Sequence, residues 1–180
     1  MSAPATSVDA SSGDLVISWT QPDTQGSAIT SYFIEVGSAD GLIWTEITTT
    51  CGGDNPSLLD CSVPMNSLAI SPFHYAQGTL IKARTRAFNE FGSGPVSLVN
   101  TEGAKMRTAP HKMTQVKTHP DTRKDLLRVQ WDAPSTWASG DSNILSYKLV
   151  WNAGVGAVEQ ELTGVTTYYT ELTYTITENI

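Results

Sequence analysis

Residues 16–36 read VISWTQPDTQGSAITSYFIEV, and this stretch decides the fold because its pattern returns over residues 127–151 as LRVQWDAPSTWASGDSNILSYKLVW. The residues that recur are Trp19 as Trp131, Pro22 as Pro134, Ile29 as Ile144, and Tyr32 as Tyr147. The first two pairs are 112 positions apart and the last two are 115 apart, so the second copy carries three extra residues between the halves of the pattern. The sequence therefore predicts a tandem repeat.

Each copy of the pattern predicts two β-strands joined by a loop. Leu15, Ile17 and Trp19 occupy alternate positions, which is the spacing of a strand with one buried face. Pro22 and Gly26 then supply turn geometry before the second strand. The aromatic residues of the pattern are the expected core anchors of the two copies: Trp19, Tyr32, Trp131 and Tyr147.

A further motif, A-x-N-x-x-G-x-G-x-x-S, follows later in the first copy. Its residues are Ala87, Asn89, Gly92, Gly94 and Ser97. Together with the recurring Trp, Pro, Ile and Tyr, it resembles strands B, C and F of fibronectin type III domains. The resemblance implies an all-β fold of two immunoglobulin-like (fibronectin type III) β-sandwiches in tandem. It departs at Ile81, where the family carries its corner tyrosine, so that tyrosine's hydrogen bond is not expected here.

The copies also predict the domain boundaries. We expect a first domain over residues 1–101 with a cysteine-bearing insertion, a polar linker over 102–110, and a partial second domain over 111–180. Aligned on the first copy, Ile180 falls near Leu68, so the second sandwich should lack its last two strands. Such a half-domain exposes strand edges. We therefore expect missing sequence or a partner strand to complete it.

Within these bounds the predicted strands follow the alternation of apolar residues and the turn signals between them. In the first copy they cover residues 3–9, 15–20, 29–38, 42–48, 62–68, 81–87 and 95–100. In the second copy they cover residues 113–117, 127–131, 144–151, 157–162 and 173–180.

The charge of the chain is uneven. The formal net charge is −7, and residues 1–81 hold eight acidic residues with no Lys or Arg, whereas residues 82–128 hold ten of the eleven basic residues. An acidic total argues against nucleic acid as a partner. No stretch approaches the roughly 20 consecutive apolar residues of a membrane helix, so this segment is not expected to insert into a membrane.

Two cysteines, Cys51 and Cys61, flank the turn-rich loop GGDNPSLLD. Both belong to an insertion that the second copy lacks, which favours a disulfide between them. The alternative is a pair of reduced, partly buried thiols in an intracellular protein. A metal site is not expected, because two thiolates without a nearby His fill only half of a tetrahedral shell.

The sequence shows no pattern of catalytic residues. The three histidines, His74, His111 and His119, are scattered, and neither HExxH nor GxSxG is present. The aspartates of the first copy lack the regular spacing of a calcium loop. We therefore expect no enzyme activity, no cofactor and no bound metal.

The candidate residues for partner contacts are aromatic or basic; the alternative is that they are ordinary exposed side chains on the solvent face of a sheet or in a loop. Phe33 should point outward beside the basic row Lys82, Arg84 and Arg86 on strand F, which lies near Glu35 on strand C. Trp44 should lie on the next strand, where an arginine could stack over its ring, although the ring could equally cap the core. In the second copy, Trp137 is presented in the longer loop STWASGDSN.

These observations favour a structural or adhesion module of a larger extracellular or cell-surface repeat protein, whose partners are other protein chains or neighbouring repeats. The cysteine insertion and the SPF segment also resemble repeats of large protist surface proteins. Two alternatives stay open. One is an intracellular scaffold module of the cytoskeleton or a cilium, and the other is an accessory module of a secreted enzyme.

Overall fold

In the computed structural model, which describes residues 1–152, 160–164 and 166–177, the chain divides into two units, Met1–Thr108 and Ala109–Ile180. Unit 1 contains two antiparallel sheets. Its strands are β1 (Ala5–Val8), β2 (Leu15–Ser18), β3 (Ser31–Gly37), β4 (Trp44–Glu46), β5 (Asp60–Val63), β6 (Ala83–Asn89) and β7 (Gly92–Ser93). One sheet has the order β1-β2-β5 and the other β4-β3-β6-β7. The predicted all-β, immunoglobulin-like β-sandwich is confirmed.

The alternating residues of β2 and β3 build the core of unit 1. Leu15 and Ile17 are fully buried, and Trp19 lies just beyond β2 with its ring centroid 5.5 Å from that of Tyr32 on β3. Ile34 continues the buried face of β3. Burying each large apolar side chain stabilises the folded state by about 1.5–3 kcal/mol, so these strands supply much of the driving force for folding.

Strand β5 is shorter than the strand predicted over residues 62–68. Pro64 cannot donate a hydrogen bond to a sheet, and the chain after it forms a 3₁₀-helix, Met65–Ala69. Met65 and Leu68 are buried from this helix. The apolar residues of the segment therefore reach the core, but from a helical turn rather than from a strand.

Unit 1 includes most of the segment predicted as a linker, since it continues to Thr108. Ala104 and Met106 are buried in the core of unit 1. The Ile81 N–H donates to the Ala104 carbonyl at 2.9 Å, and the Met106 N–H donates to the Thr79 carbonyl at 2.9 Å. The segment is polar in composition, but two alternate apolar side chains suffice to hold it on the sandwich.

Two buried polar side chains fasten the later strands of unit 1. Asn100 Oδ1 accepts the Ala83 N–H at 2.7 Å, and Asn100 Nδ2 donates to the Ile81 carbonyl at 2.9 Å. Tyr75 Oη accepts the Lys82 N–H at 3.0 Å. A tyrosine hydrogen bond to the residue before β6 is thus present, but from Tyr75 and not from position 81.

Unit 2 contains five strands in its described residues. They are β8 (Lys117–Thr118), β9 (Leu127–Gln130), β10 (Leu149–Trp151), β11 (Gln160–Thr163) and β12 (Thr173–Ile176). One sheet has the order β12-β9-β8, and β10 pairs with β11 in the other. Strand β8 begins where predicted strand 113–117 ends, and β10 begins five residues inside predicted strand 144–151. Parts of predicted strands 157–162 and 173–180 lie outside the described residues.

The anchor residues make the same contacts in both units. The Trp19 N–H donates to the Leu59 carbonyl at 2.8 Å, and the Trp131 N–H donates to the Leu172 carbonyl at 3.0 Å. The Trp131 and Tyr147 rings lie 5.8 Å apart, close to the Trp19–Tyr32 spacing. The recurring sequence therefore builds the same local packing twice.

Candidate functional site

The outer face of the sheet β4-β3-β6 carries aromatic and arginine side chains side by side. We call it the aromatic–arginine face and define it by Phe33, Glu35, Trp44, Arg84, Arg86 and Phe88. Side chains of a strand alternate between the two faces of a sheet. Phe33 and Glu35 therefore point away from the core that Tyr32 and Ile34 fill.

Arg84 is at the centre of this face. Its Nε donates to Glu35 Oε2 at 2.9 Å and its Nη2 donates to Glu35 Oε1 at 3.2 Å, which is the bidentate geometry that fixes a guanidinium group. The Arg84 guanidinium carbon also lies 4.2 Å from the ring centroid of Trp44, within cation–π range. Glu35 is only 7% exposed, so its carboxylate depends on these bonds to offset the loss of water.

Arg86 lies two residues beyond Arg84 on the same face and contacts Glu35 and a ring more loosely. Its guanidinium carbon lies 5.5 Å from the Phe33 ring centroid, and its Nη2 lies 4.0 Å from Glu35 Oε2. The Phe33 and Phe88 rings pack with centroids 4.6 Å apart. Arg86 keeps 35% of its side chain exposed, so it is accessible to a partner while its position is held by its neighbours.

The cross-strand neighbour of Trp44 has no side chain. Gly37 pairs with Trp44 in the β3–β4 register. A Cβ atom at Gly37 would lie 3.4 Å from the Trp44 ring, which is an ordinary van der Waals contact. The ring therefore packs over the Gly37 backbone on one side and lies within 4.2 Å of the Arg84 guanidinium carbon. The sequence placed an arginine near Trp44, but it did not identify Gly37 as the residue opposite the ring.

The structure brings together four of the predicted contact residues within unit 1. Phe33, Trp44, Arg84 and Arg86 form one surface, and Lys82 is exposed just before β6. Trp137 belongs to unit 2, where it is 57% exposed and packs edge-on against His111 at 6.0 Å.

The Cys51–Cys61 disulfide closes one edge of unit 1. Cys61 belongs to β5, and Cys51 is buried in the loop that follows β4, with the Cα atoms 5.1 Å apart. Within the loop, the Gly53 carbonyl accepts the Tyr32 N–H at 2.9 Å. A Cβ atom at Gly53 would overlap the Tyr32 carbonyl, so glycine is required for this close approach. The loop thereby covers the edge of β3 beside the core.

Sequence reasoning did not predict a cavity between the β2–β3 loop and the β6–β7 turn of unit 1. Its volume is about 430 Å³, and its lining includes Pro22, Asp23, Asn89 and Phe91. Phe91 is 84% exposed at its rim. The sequence feature that marks this cavity is an aromatic residue, Phe91, next to the glycine-rich turn. The catalytic motifs HExxH and GxSxG do not include such a residue.

Among the described residues, no group of three or more His, Cys, Asp or Glu side chains is placed to hold a metal ion. The same part of the chain holds no helix with the length and apolar character needed to cross a bilayer. The aromatic–arginine face combines packed aromatic rings, a bidentate arginine–glutamate pair and a second arginine near the same carboxylate.

No family model and no curated protein matches this chain. Among solved structures, the chain is similar to the crystal structure of chicken CNTN1 FN1-FN3 domains, with 16% sequence identity and a TM-score of 0.42. The similarity covers 99% of this chain and 56% of that chain, so this chain spans little more than half of the length of the structure that it matches.

Proposed function

We propose that the chain is a non-catalytic structural or adhesion module of a larger extracellular or cell-surface protein built from repeats of this sandwich. The observation that carries the proposal is the Cys51–Cys61 disulfide. Disulfides persist in oxidising compartments, and cytosolic thiols are mostly kept reduced. A structural bond that covers a sheet edge is therefore best suited to a protein outside the cell.

The partners that we propose are other protein chains or neighbouring repeats. Arginine and aromatic side chains are enriched at protein–protein interfaces, especially where they are held rigidly before binding. The bidentate Arg84–Glu35 pair and the Phe33–Phe88 contact hold the aromatic–arginine face in this way. Trp137, together with this face, supplies the contact residues of the proposal.

The thiol state of the protein from its native source tests the proposal. The purified protein is alkylated with and without prior reduction, and its intact mass is measured. We expect Cys51 and Cys61 to resist alkylation until reduction, in a polypeptide much heavier than the 180 residues. The recombinant chain, alkylated after reduction, is the control that gives the mass increment of two modified thiols.

Two other results would redirect the proposal. Free thiols in the native protein would contradict an extracellular location and would favour an intracellular cytoskeletal or ciliary scaffold. A native polypeptide that contains a catalytic domain beside this segment would favour an accessory module of a secreted enzyme.

A further inference from the structure

Arg86 on the aromatic–arginine face has hydrogen-bond donors that unit 1 leaves unused. Both carboxylate oxygens of Glu35 accept hydrogen bonds from Arg84. The Arg86 side chain makes no hydrogen bond to a residue that the structure describes, since its Nη2 lies 4.0 Å from Glu35 Oε2 and its Nε is buried without a partner. The terminal nitrogens of a guanidinium group suit a carboxylate with two parallel bonds. Arg86 can therefore take a carboxylate from another molecule.

The strands of this sheet place no carboxylate opposite Arg86. In the pairing register, Arg84 lies opposite Glu35, and Glu35 lies opposite Glu46, the other carboxylate of these strands. The residue opposite Arg86 is Phe33, which offers only its ring. The positive charge of the face is therefore concentrated around Arg86.

The outer face of the other sheet, β1-β2-β5, has the complementary character. Asp60 is the one charged residue in these three strands; it is exposed and forms no ion pair with a described residue. Its neighbours on that face are short side chains: Ala5, Ser7, Val16, Ser18 and Ser62. The equivalent strands of unit 2 contain Lys117 and Arg128, so this acidic, flat surface belongs to unit 1.

We propose that the aromatic–arginine face binds the outer face of β1-β2-β5 in a second molecule of this chain. Asp60 of the second molecule accepts hydrogen bonds from Nη1 and Nη2 of Arg86, and the Phe33 and Phe88 rings lie against the short side chains. Charge and shape both support this pairing, because a projecting basic face meets a flat acidic one. The inference rests on the proposed function and deepens it, since it names one partner of the adhesion module.

The two faces differ, so the contact is head-to-tail. Each molecule offers one face of each kind, and such contacts build open rows of molecules unless a rotation closes them into a ring. Sheets of three and four short strands bury little area, so a single contact is weak, and repeats side by side would strengthen it. Two aromatic–arginine faces would fit less well together, because they would bring like charges into contact.

Self-association of the full chain tests the proposal. Sedimentation and NMR chemical shifts are followed up to about 1 mM, because contacts of this size are weak. We expect association that depends on concentration and weakens with added salt. Arg86→Asp and Asp60→Arg should each weaken it by about tenfold or more, because each variant sets like charges against each other.

An equimolar mixture of the two variants is the decisive sample. The Asp introduced in one variant then meets the Arg introduced in the other, so the mixture should associate as the parent chain does. Arg86→Gln adds no negative charge beside Glu35, and it should show the same loss if Arg86→Asp does not fold. The matched controls Lys124→Asp and Glu171→Arg make the same charge changes at exposed positions of unit 2 and should leave association unchanged.

Three results would overturn the proposal. They are a parent chain that stays monomeric throughout, association that neither Arg86 variant weakens, and a mixture that does not recover the association lost in the single variants. The outcome is separate from that of the thiol measurement. Free thiols in the native protein with recovery in the mixture would refute the extracellular location and keep this contact, whereas protected thiols with a monomeric chain would do the reverse.

Discussion

The exposed carboxylate of Asp9 accepts several hydrogen bonds in the turn between β1 and β2. Its Oδ1 accepts the Ser11 hydroxyl at 2.6 Å and the N–H groups of Ser11 and Ser12, each at 2.8 Å. These bonds, with that of the Ser11 hydroxyl first, lower the pKa of Asp9 from 3.8 to about 2. The carboxylate thus organises the turn between β1 and β2.

We predict that Asp9 titrates near pH 2 in the folded chain and that Ser11→Ala raises its pKa. Because the folded-state pKa is depressed, the contribution of Asp9 to stability is present above its ordinary pKa of 3.8 and is lost as the pH falls through about 2. The carboxyl carbon shift in NMR spectra measures the titration. Ser12→Ala is the control, since the Ser12 hydroxyl makes the longer bond of 3.3 Å and should change the pKa less.

Trp19 is the second residue whose replacement tests the structure. It is buried between the two sheets against Tyr32, so Trp19→Ala should lower the free energy of unfolding by about 3–5 kcal/mol. Urea unfolding measures the loss, and Trp137→Ala, at a largely exposed ring, serves as the control. A loss below about 1 kcal/mol would mean that Trp19 does not anchor the core.

At the level of elements, Asn100 joins three segments of unit 1. Its amide bonds to Ala83 at the start of β6 and to Ile81 just before that strand, and its Nδ2 donates to Thr6 Oγ1 on β1 at 3.3 Å. Asn100→Ala would leave the Ala83 N–H and the Ile81 carbonyl without these partners. Because buried groups without hydrogen bonds cost about 1–3 kcal/mol each, we predict a loss of about 2–4 kcal/mol in the free energy of unfolding.

Asn89→Ala is the matched control for Asn100→Ala. The Asn89 side chain accepts only the Phe91 N–H in an exposed turn among the bonds described, at 3.0 Å. Its loss should cost less than about 1 kcal/mol by denaturant unfolding. Equal losses in the two variants would show that Asn100 does not fasten the strands.

The elements that could be predicted from sequence are those whose signal is local. Alternation located β2, β3 and β6, because a two-residue period follows from one buried face. The 3₁₀-helix after Pro64 and the burial of Ala104 and Met106 were missed, since both depend on contacts with distant residues. Tyr75 could not be recognised for the same reason, because its partner Lys82 is reached through the fold and not through a motif.

The candidate site was predictable as a set of residues but not as a geometry. The alternation of residues along β3 and β6 predicts that Phe33, Glu35, Arg84 and Arg86 share one face of the sheet. Two features of the site belong to the folded sheet: the pairing register that sets Arg84 opposite Glu35, and the position of Gly37 opposite Trp44. A sequence pattern contains neither of them.

At the scale of the molecule, the two units differ in the contact that holds one equivalent strand position, which is Cys61 in unit 1 and Tyr174 in unit 2. Cys61 pairs with Ile17 in the β2–β5 register, and Tyr174 pairs with Val129 in the β9–β12 register. Ile17 and Val129 each precede an anchor tryptophan by two residues, so Tyr174 occupies the position of Cys61. Where Cys61 bonds to Cys51, the Tyr174 hydroxyl donates to the Leu162 carbonyl at 3.1 Å.

We predict that the Cys51–Cys61 disulfide and the Tyr174 hydrogen bond each stabilise only their own unit, and that the disulfide contributes more. The double variant Cys51→Ser, Cys61→Ser should lower the stability of unit 1 by about 2.5–3 kcal/mol, the chain-entropy value for so short a loop. Tyr174→Phe should lower the stability of unit 2 by only about 0.5–1.5 kcal/mol, the net value of one hydrogen bond. Amide exchange in β2 and β9 reads out the two units separately within one chain.

Each variant is the control for the other, because each removes one contact from one unit at the same position of the sandwich. The cysteine variant should speed exchange in β2 and leave β9 unchanged, and Tyr174→Phe should do the reverse. If loss of the disulfide sped exchange in β9 as much as in β2, the two units would unfold as one cooperative body, and the stability of unit 2 would then depend on a covalent bond that it does not contain.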